Sequence, residues 1–344
     1  MRAAVLTRFG GPEVLEVREV PDPVPADGHV VVRVTAAAVN NTDIWTREGA
    51  YGTAEDPGAR SGWRGDIDFP RVQGGDIVGV VESVADDVDR SLVGRRVLVD
   101  PAFYDDHGHP VGLLGSEADG GFAERVAVAA ARVHDVSGSA LSDEELACLP
   151  VAYGTAMGML ERGGIGAGET VLVTGASGGV GVALVQLARA RGAQVIALTT
   201  EAKRSRVAQA GAAVTLDRIQ PVGAALARTA PGGLAAVLDV VGGPALPEIL
   251  PRLRDGGRWV IAGAVGGHTV SLDLRRLYLH NIAVIGSSMH SPHHFDLLAT
   301  EARRATFRPP VAARYDLADI HQAQREFVGR NHVGKIVIRP GTGR

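Results

Sequence analysis

The sequence predicts an α/β protein in which a doubly wound parallel sheet lies between two β-rich stretches. Three observations carry this. Residues 171–189 read as strand, glycine loop and helix. From 171 to 286, short apolar runs alternate with helical spacings, the βαβ pattern of a parallel sheet. Up to about residue 140, and again after about residue 308, short β-branched runs broken by Gly, Pro and Asp take over.

The glycine loop organises the rest. Val171, Leu172 and Val173 form the apolar run of a buried parallel strand, and Val182, Leu184, Val185, Leu187 and Ala188 recur at helical spacing. Between them lie Gly175, Ser177, Gly178, Gly179, Val180 and Gly181. Gly175 permits a tight turn, Gly178 lets backbone approach a pyrophosphate, and Gly181 lets the helix pack close, leaving helix N–H groups to meet the phosphates. In a chain with 45 glycines such a pattern alone is weak. Its position between a strand and a helix makes it a dinucleotide loop.

The next strand, 194–200, ends in Thr199 and Thr200, where NAD-binding folds usually place an acid for the ribose 2′-hydroxyl. Lys203, Arg204 and Arg206 follow, cations suited to a 2′-phosphate, so NADPH is favoured over NADH. Glu201 is the dissenting residue. The same cations would also serve simply to solvate the next helix.

A chain of 344 residues exceeds one core, so two domains are expected. A net charge of −4 offers no basic field to nucleic acid or an anionic membrane. The single cysteine, Cys148, excludes an internal disulfide and any site of several thiolates, and its apolar neighbours Leu146, Ala147 and Leu149 mark it as a buried structural thiol. The opening residues lack the apolar core of an export signal and no run reaches a membrane span, so a cytoplasmic location is expected.

In order, strands are expected at 3–6, 15–20, 30–37, 77–84, 96–99 and 122–128. Pro21 to Pro25 is an extended connector. Two long polar loops stand out: 49–69, with Tyr51 and Trp63, and 101–121, with Phe103, Tyr104, His107 and His109. Ser142 followed by three acids starts a helix, and a second helical run covers 154–160. Strands follow at 171–174, 195–199, 213–216, 236–241, 258–262 and 283–286. The tail reads as strand 311–315, helix 317–328 and strand 335–338, a β closure that suggests a return to the first domain.

Eight blocks in this order resemble the medium-chain dehydrogenase/reductase superfamily, in its zinc-independent, quinone-oxidoreductase-like branch. They include Ala38 to Asp43, Phe69 to Gly79, Gly120 to Glu124, the phosphate loop, Asp239 to Gly243 and His332 to Val337. The resemblance implies a GroES-like catalytic domain interrupted by a Rossmann domain, divided as 1–140, 141–307 and 308–344. Zinc-dependent relatives would carry Cys at Asn40, a His-Glu pair at Gly75 and Asp76, and Cys or Asp at about Val151. This chain has a carboxamide, a glycine with an aspartate, and an aliphatic residue there, and Asp76 alone cannot hold tetrahedral zinc. Loop clusters Asp105/Asp106/His107/His109 and His290/His293/His294 are read as solvated loop groups, and no metal is expected.

Without a metal, hydride addition to a quinone or enone needs hydrogen-bond donors for the developing enolate. The resemblance places Asn41, Thr42 and Tyr51 where the family lines its active site, Asn41 as an amide donor and Tyr51 as donor or proton source. Structural roles compete: Asn40, Asn41 and Asp43 as caps, Tyr51, Trp63 and Tyr153 as pocket walls. For the cofactor, the resemblance adds Thr155, Gly242, and Gly263, Ala264 and Val265 near the nicotinamide, with Arg218 at the 2′-phosphate in place of an adenosine-stacking tyrosine. Lys335 is read as facing either the active site or solvent.

These readings converge on an NADPH-dependent, zinc-free reductase of a small-molecule C=C–C=O acceptor. Quinones, enones and polyene enones whose enolate then closes a ring all fit, the last helped by the two long loops. Alternatives are a zinc-free carbonyl reductase or alcohol dehydrogenase using the Thr42 hydroxyl, and an NADPH binder without turnover. A homodimer is expected through an apolar edge strand at 282–287.

Overall fold

The computed structural model describes residues 1–53, 56 and 58–341. Residues 54, 55 and 57 of the first long loop, and 342–344 of the tail, lie outside this range. The chain forms two units, Met1–Val151 with Ser291–Arg344, and Ala152–His290.

The first unit begins with Arg2–Leu6 (β1), Leu15–Glu19 (β2) and His29–Ala38 (β3), followed by the helix Asn41–Glu48 (α1). Arg71–Val72 (β4), Asp76–Val84 (β5), Arg96–Val99 (β6), Ala102–Tyr104 (β7), Pro110–Leu113 (β8), Arg125–Ala129 (β9) and Val133–Asp135 (β10) complete its early strands, and Asp143–Ala147 is α2. The stretch 101–121, expected as an open loop, contains the β7–β8 hairpin, with Ala102 opposite Leu113. Its polar side chains hid a strand pair too short to show alternation.

The second unit alternates as expected. Ala152–Arg162 (α3) leads to Thr170–Val173 (β11), Gly179–Ala190 (α4), Gln194–Thr199 (β12), Arg204–Ala210 (α5), Val214–Asp217 (β13), Val222–Thr229 (α6), Leu234–Asp239 (β14), Leu246–Ile249 (α7), Leu253–Ile261 (β15), Leu274–Leu279 (α8) and Ala283–Gly286 (β16). Its six parallel strands lie in the order β13-β12-β11-β14-β15-β16, the Rossmann order. Leu172, Val237, Leu226, Leu246 and Trp259 pack its core. The central strands β11 and β14 are almost wholly apolar and buried, as expected where a parallel sheet is covered on both faces.

The chain then returns to the first unit through Pro292–Arg304 (α9), Val311–Asp316 (β17), Ile320–Gly329 (α10) and Lys335–Arg339 (β18). β18 pairs antiparallel with β3 and parallel with β17, so the tail closes the main sheet, ordered β10-β6-β5-β3-β18-β17 with β9 also on β3. The core here gathers Leu6, Val32, Ile77, Val97, Phe122 and Ile336.

The unit boundaries differ from the expected 140/141 and 307/308. Both α2 and α9 belong to the first unit. Glu144 and Glu145 of α2 pair with Arg314 and Arg308. From α9, the Ala302 carbonyl accepts from the Ser139 hydroxyl at 2.6 Å and Phe295 packs on His134. Helical spacing says nothing about which sheet a helix covers, so these contacts were not legible in advance.

Candidate active site

In the second unit, the predicted cofactor residues gather at the carboxyl ends of the parallel strands. Gly175, at the end of β11, has φ +57°, the left-handed turn that glycine adopts without strain. A Cβ on Gly181 would lie 2.1 Å from the Gly175 carbonyl oxygen, so the helix start and the turn touch only because that position is glycine. Gly178 caps α4, and the first-turn N–H groups at Gly179, Val180 and Gly181 have no carbonyl partner within a helix. Ser177 lies in the same turn.

Beside them, β12 ends in Thr199, whose carbonyl accepts from the Arg218 N–H at 2.8 Å. The Thr199 hydroxyl is buried without a hydrogen-bond partner among the described residues. Thr200 precedes the short helical turn of Glu201 and Lys203. The Arg204 guanidinium donates to Glu201 at 2.8 Å and to the Thr215 hydroxyl at 3.1 Å, and Arg218 is exposed. Gly242 follows β14, while Gly263, Ala264 and Val265 follow β15, whose turn is tied back by the Gly266 N–H to the Val241 carbonyl.

The role of one residue here escaped the sequence reading, which named it only as the start of a block. Asp239, fully buried at the end of β14, accepts from the Thr174 hydroxyl at 2.6 Å, the Trp259 indole at 3.1 Å and the Val241 and Gly242 N–H groups. It fixes the ends of three adjacent strands, and only the threonine–tryptophan convergence reveals it. Two other expected residues lie on α3. Thr155 is buried on α3 and reaches the Met289 sulfur at 3.7 Å. Tyr153 is a core residue, 1% exposed, donating to Gln186 at 2.6 Å, and not a pocket wall.

A glycine turn closed on a helix start, an orphaned threonine hydroxyl and two arginines at one sheet end fit a nicotinamide dinucleotide.

In the first unit, α1 begins at Asn41, with Asn40 at its N-cap. Thr42 is the next residue, and the Tyr51 phenol donates to its hydroxyl at 2.8 Å. The structure therefore joins two of the three proposed catalytic groups. Burial raises the Tyr51 pKa far above that of an ordinary phenol, with the Thr42 hydrogen bond opposing. Trp45 packs edge-on against Tyr51 at 5.4 Å. The loop holding Tyr51 is tied to the second loop: Ser116 accepts from the Trp63 N–H at 3.0 Å, and Glu117 accepts from the Arg64 N–H at 2.8 Å.

Behind α1 lies a buried polar network. Asp76, fully buried, accepts from Lys335 at 2.9 Å, the Asn40 amide at 2.8 Å and the Val151 N–H at 2.7 Å. The Lys335 ammonium, 2% exposed, also donates to the Val39 carbonyl at 2.8 Å and to the Asn40 side-chain oxygen. Lys335 thus faces neither solvent nor an open site. Asp43 reaches back to accept the Asn40 N–H at 2.7 Å, and burial pushes its carboxyl up to about 7 against the pull of that hydrogen bond and of Lys335. Asn40, Gly75 and Val151 converge on this network, and a Cβ on Gly75 would lie 3.2 Å from Val151 and 3.3 Å from the Leu114 carbonyl.

The loop clusters resolve otherwise. Asp105 accepts from the N–H groups of His107 and His109, closing a turn, and His290 is buried. Cys148 is buried, its thiol pushed up by desolvation.

A nicotinamide-binding Rossmann unit with a second, β-rich unit completed by the tail defines a dinucleotide-dependent oxidoreductase. The family models described as alcohol dehydrogenase GroES-like domain and zinc-binding dehydrogenase match residues 26–138 and 179–303. An acryloyl-coenzyme A reductase of Metallosphaera sedula is 32% identical over 98% of this chain and 99% of its own. A Sinorhizobium meliloti structure, solved as a provisional alcohol dehydrogenase, is 44% identical with a TM-score of 0.94, covering 99% of this chain and 96% of that one. A quinone oxidoreductase of Thermus thermophilus, solved alone and with NADPH, is 32% identical with a TM-score of 0.76, covering 99% and 100%. The chain belongs to the medium-chain dehydrogenase/reductase superfamily.

Proposed function

We propose that this protein is an NADPH-dependent reductase that adds hydride to a C=C bond conjugated to a carbonyl, and that it works without zinc. The observation that carries the reading is that the Asn40 amide, the Val151 N–H and the Lys335 ammonium all donate to Asp76, next to Gly75. Tetrahedral zinc requires imidazole, thiolate or several carboxylates. At these four positions Asp76 brings one carboxylate, already committed to three donors, and a histidine at Gly75 would crowd Val151 and the Leu114 carbonyl.

Bound reduced nicotinamide supplies the hydride. The chain's part is to receive the negative charge that builds on the carbonyl oxygen, and preset donors do this without reorganisation. Tyr51 donates to Thr42, which frees the Thr42 proton to point onward, and Asn41 adds an amide donor. A phenol is protonated at neutral pH and burial raises the Tyr51 pKa further, so it stays a donor. Relatives named acryloyl-coenzyme A reductase and quinone oxidoreductase support the enoyl or quinone class of acceptor.

Two features favour NADPH. Arg204 and Arg218 flank the end of β12, and the nearby acid Glu201 is paired with Arg204 and so drawn away from a ribose hydroxyl. The quinone oxidoreductase relative was solved with NADPH. A second reading, a carbonyl reductase or alcohol dehydrogenase, draws on the Thr42 hydroxyl and the alcohol dehydrogenase relative.

The test is cofactor oxidation by metal-stripped protein, with NADPH and NADH, against quinones, linear enones, polyene enones and aldehydes. Saturation of a conjugated C=C bond is the expected result. Aldehyde reduction alone, or turnover only after zinc is restored, would replace this reading with the second one.

We also propose a homodimer through β16, which ends its sheet with Val284 exposed, next to Leu274, Tyr278 and Leu279 on α8. Light scattering should give twice the chain mass, and Val284→Asp should halve it; a wild-type monomer at micromolar concentration contradicts the proposal.

A further inference from the structure

We propose that Lys335 is a positioning residue for catalysis: its buried ammonium orients Asn40 and so sets the start of α1, which carries Asn41 and Thr42. The inference rests on the reading that Asn41 and Thr42 face the substrate.

Three elements distant in sequence meet at this ammonium. Lys335 opens β18 and Asp76 opens β5, while Asn40 joins β3 to α1. The ammonium has three protons and three acceptors: the Val39 carbonyl, the Asn40 side-chain oxygen and Asp76. Two of these acceptors are Val39 and Asn40, the residues immediately before the helix.

Asn40 is held at every polar atom that could swing it. Its amide nitrogen donates to Asp76 at 2.8 Å and to the Ala38 carbonyl at 3.2 Å, its side-chain oxygen accepts from Lys335, and its backbone N–H donates to Asp43 at 2.7 Å. The next two residues are Asn41 and Thr42, and Thr42 accepts from Tyr51. The three protons of Lys335 go to Val39, Asn40 and Asp76, so it reaches Asn41, Thr42 and Tyr51 indirectly, through the residues that lead into the helix.

A merely stabilising ion pair would need none of this. Replacing a buried pair by apolar groups of similar size is often neutral for stability, so stability alone does not account for these two charges. Positional precision of this kind governs rate steeply, because donors displaced by an ångström lose much of their effect.

The test separates stability from position. Lys335→Met alone leaves Asp76 buried and unpaired, and is expected to melt early or not to fold. The double variant Lys335→Met/Asp76→Asn removes both charges and should fold, with a melting temperature near that of the wild type. In the double variant kcat should fall roughly 10- to 100-fold, while the cofactor Kd, set in the other unit, stays unchanged. Amide chemical shifts of Asn41 and Thr42 should move, a readout that needs no turnover.

Wild-type kcat and unmoved shifts in the folded double variant overturn the proposal. So does failure of the double variant to fold, since the pair would then serve stability first. If the wild type reduces aldehydes and no conjugated acceptor, the functional reading fails, and the same comparison on the aldehyde still decides the role of Lys335.

Discussion

Replacing Asp43 by asparagine should remove a pH dependence from the stability of this protein. Asp43 is buried in the first turn of α1, and desolvation raises its carboxyl to about 7, opposed by the Asn40 N–H and Lys335 and reinforced by Asp76. The unfolded chain returns it to about 3.9. A pKa raised in the folded state means that the folded protein holds this proton more tightly. The associated stability is fully present below about pH 4 and is lost as pH rises through about 7. Between pH 5 and pH 8 the loss from this one group comes to about 3 kcal/mol. The asparagine variant keeps an oxygen for the Asn40 N–H yet does not titrate. Urea melts of wild type and Asp43→Asn at pH 5, 6, 7 and 8 measure the difference directly. The wild type should weaken toward pH 8 relative to the variant. Parallel pH profiles would refute the reasoning, and a variant that loses ground toward pH 8 would reverse its sign.

Three further outcomes follow from the geometry. Gly181→Ala puts a methyl 2.1 Å from the Gly175 carbonyl oxygen, so the turn must shift; calorimetry should show about 1–3 kcal/mol of destabilisation and fluorescence titration a weaker cofactor Kd, and wild-type values for both would contradict the close approach. Tyr51→Phe removes the donor to Thr42 and should lower kcat about 100-fold, whereas an unchanged kcat makes Tyr51 a wall. Arg204→Ala with Arg218→Ala should raise KM for NADPH about tenfold or more and leave NADH almost unaffected; equal losses with both cofactors would remove the 2′-phosphate role.

Much of the second unit could be read directly from the chain, because its signals are local. The loop from Gly175 to Gly181 and the alternation of apolar strands with amphipathic helices each span a few residues, and all six expected strands are present in Rossmann order. The capping residue Ser142 with Glu145 three positions later likewise marked α2, where both reciprocal hydrogen bonds form. Residue type alone also identified Thr199 and Thr200 in place of an acid, and the resemblance supplied Asn41, Thr42 and Tyr51.

What only tertiary structure decided are the contacts between residues far apart in the chain. Lys335, left between the active site and solvent by its sequence, is buried because β18 inserts beside β3 and brings it to Asp76 and Asn40, both from the opposite end of the chain. Asp239 looks like an ordinary strand-end acid until Thr174 and Trp259 converge on it. Tyr153 looks like a pocket aromatic until its hydroxyl is seen donating to Gln186. Local spacing determines which backbone conformation a segment prefers, and it did so here. Whether a charged side chain is desolvated, and by whom it is paired, depends on which strands become neighbours, and that is a property of the closed sheet.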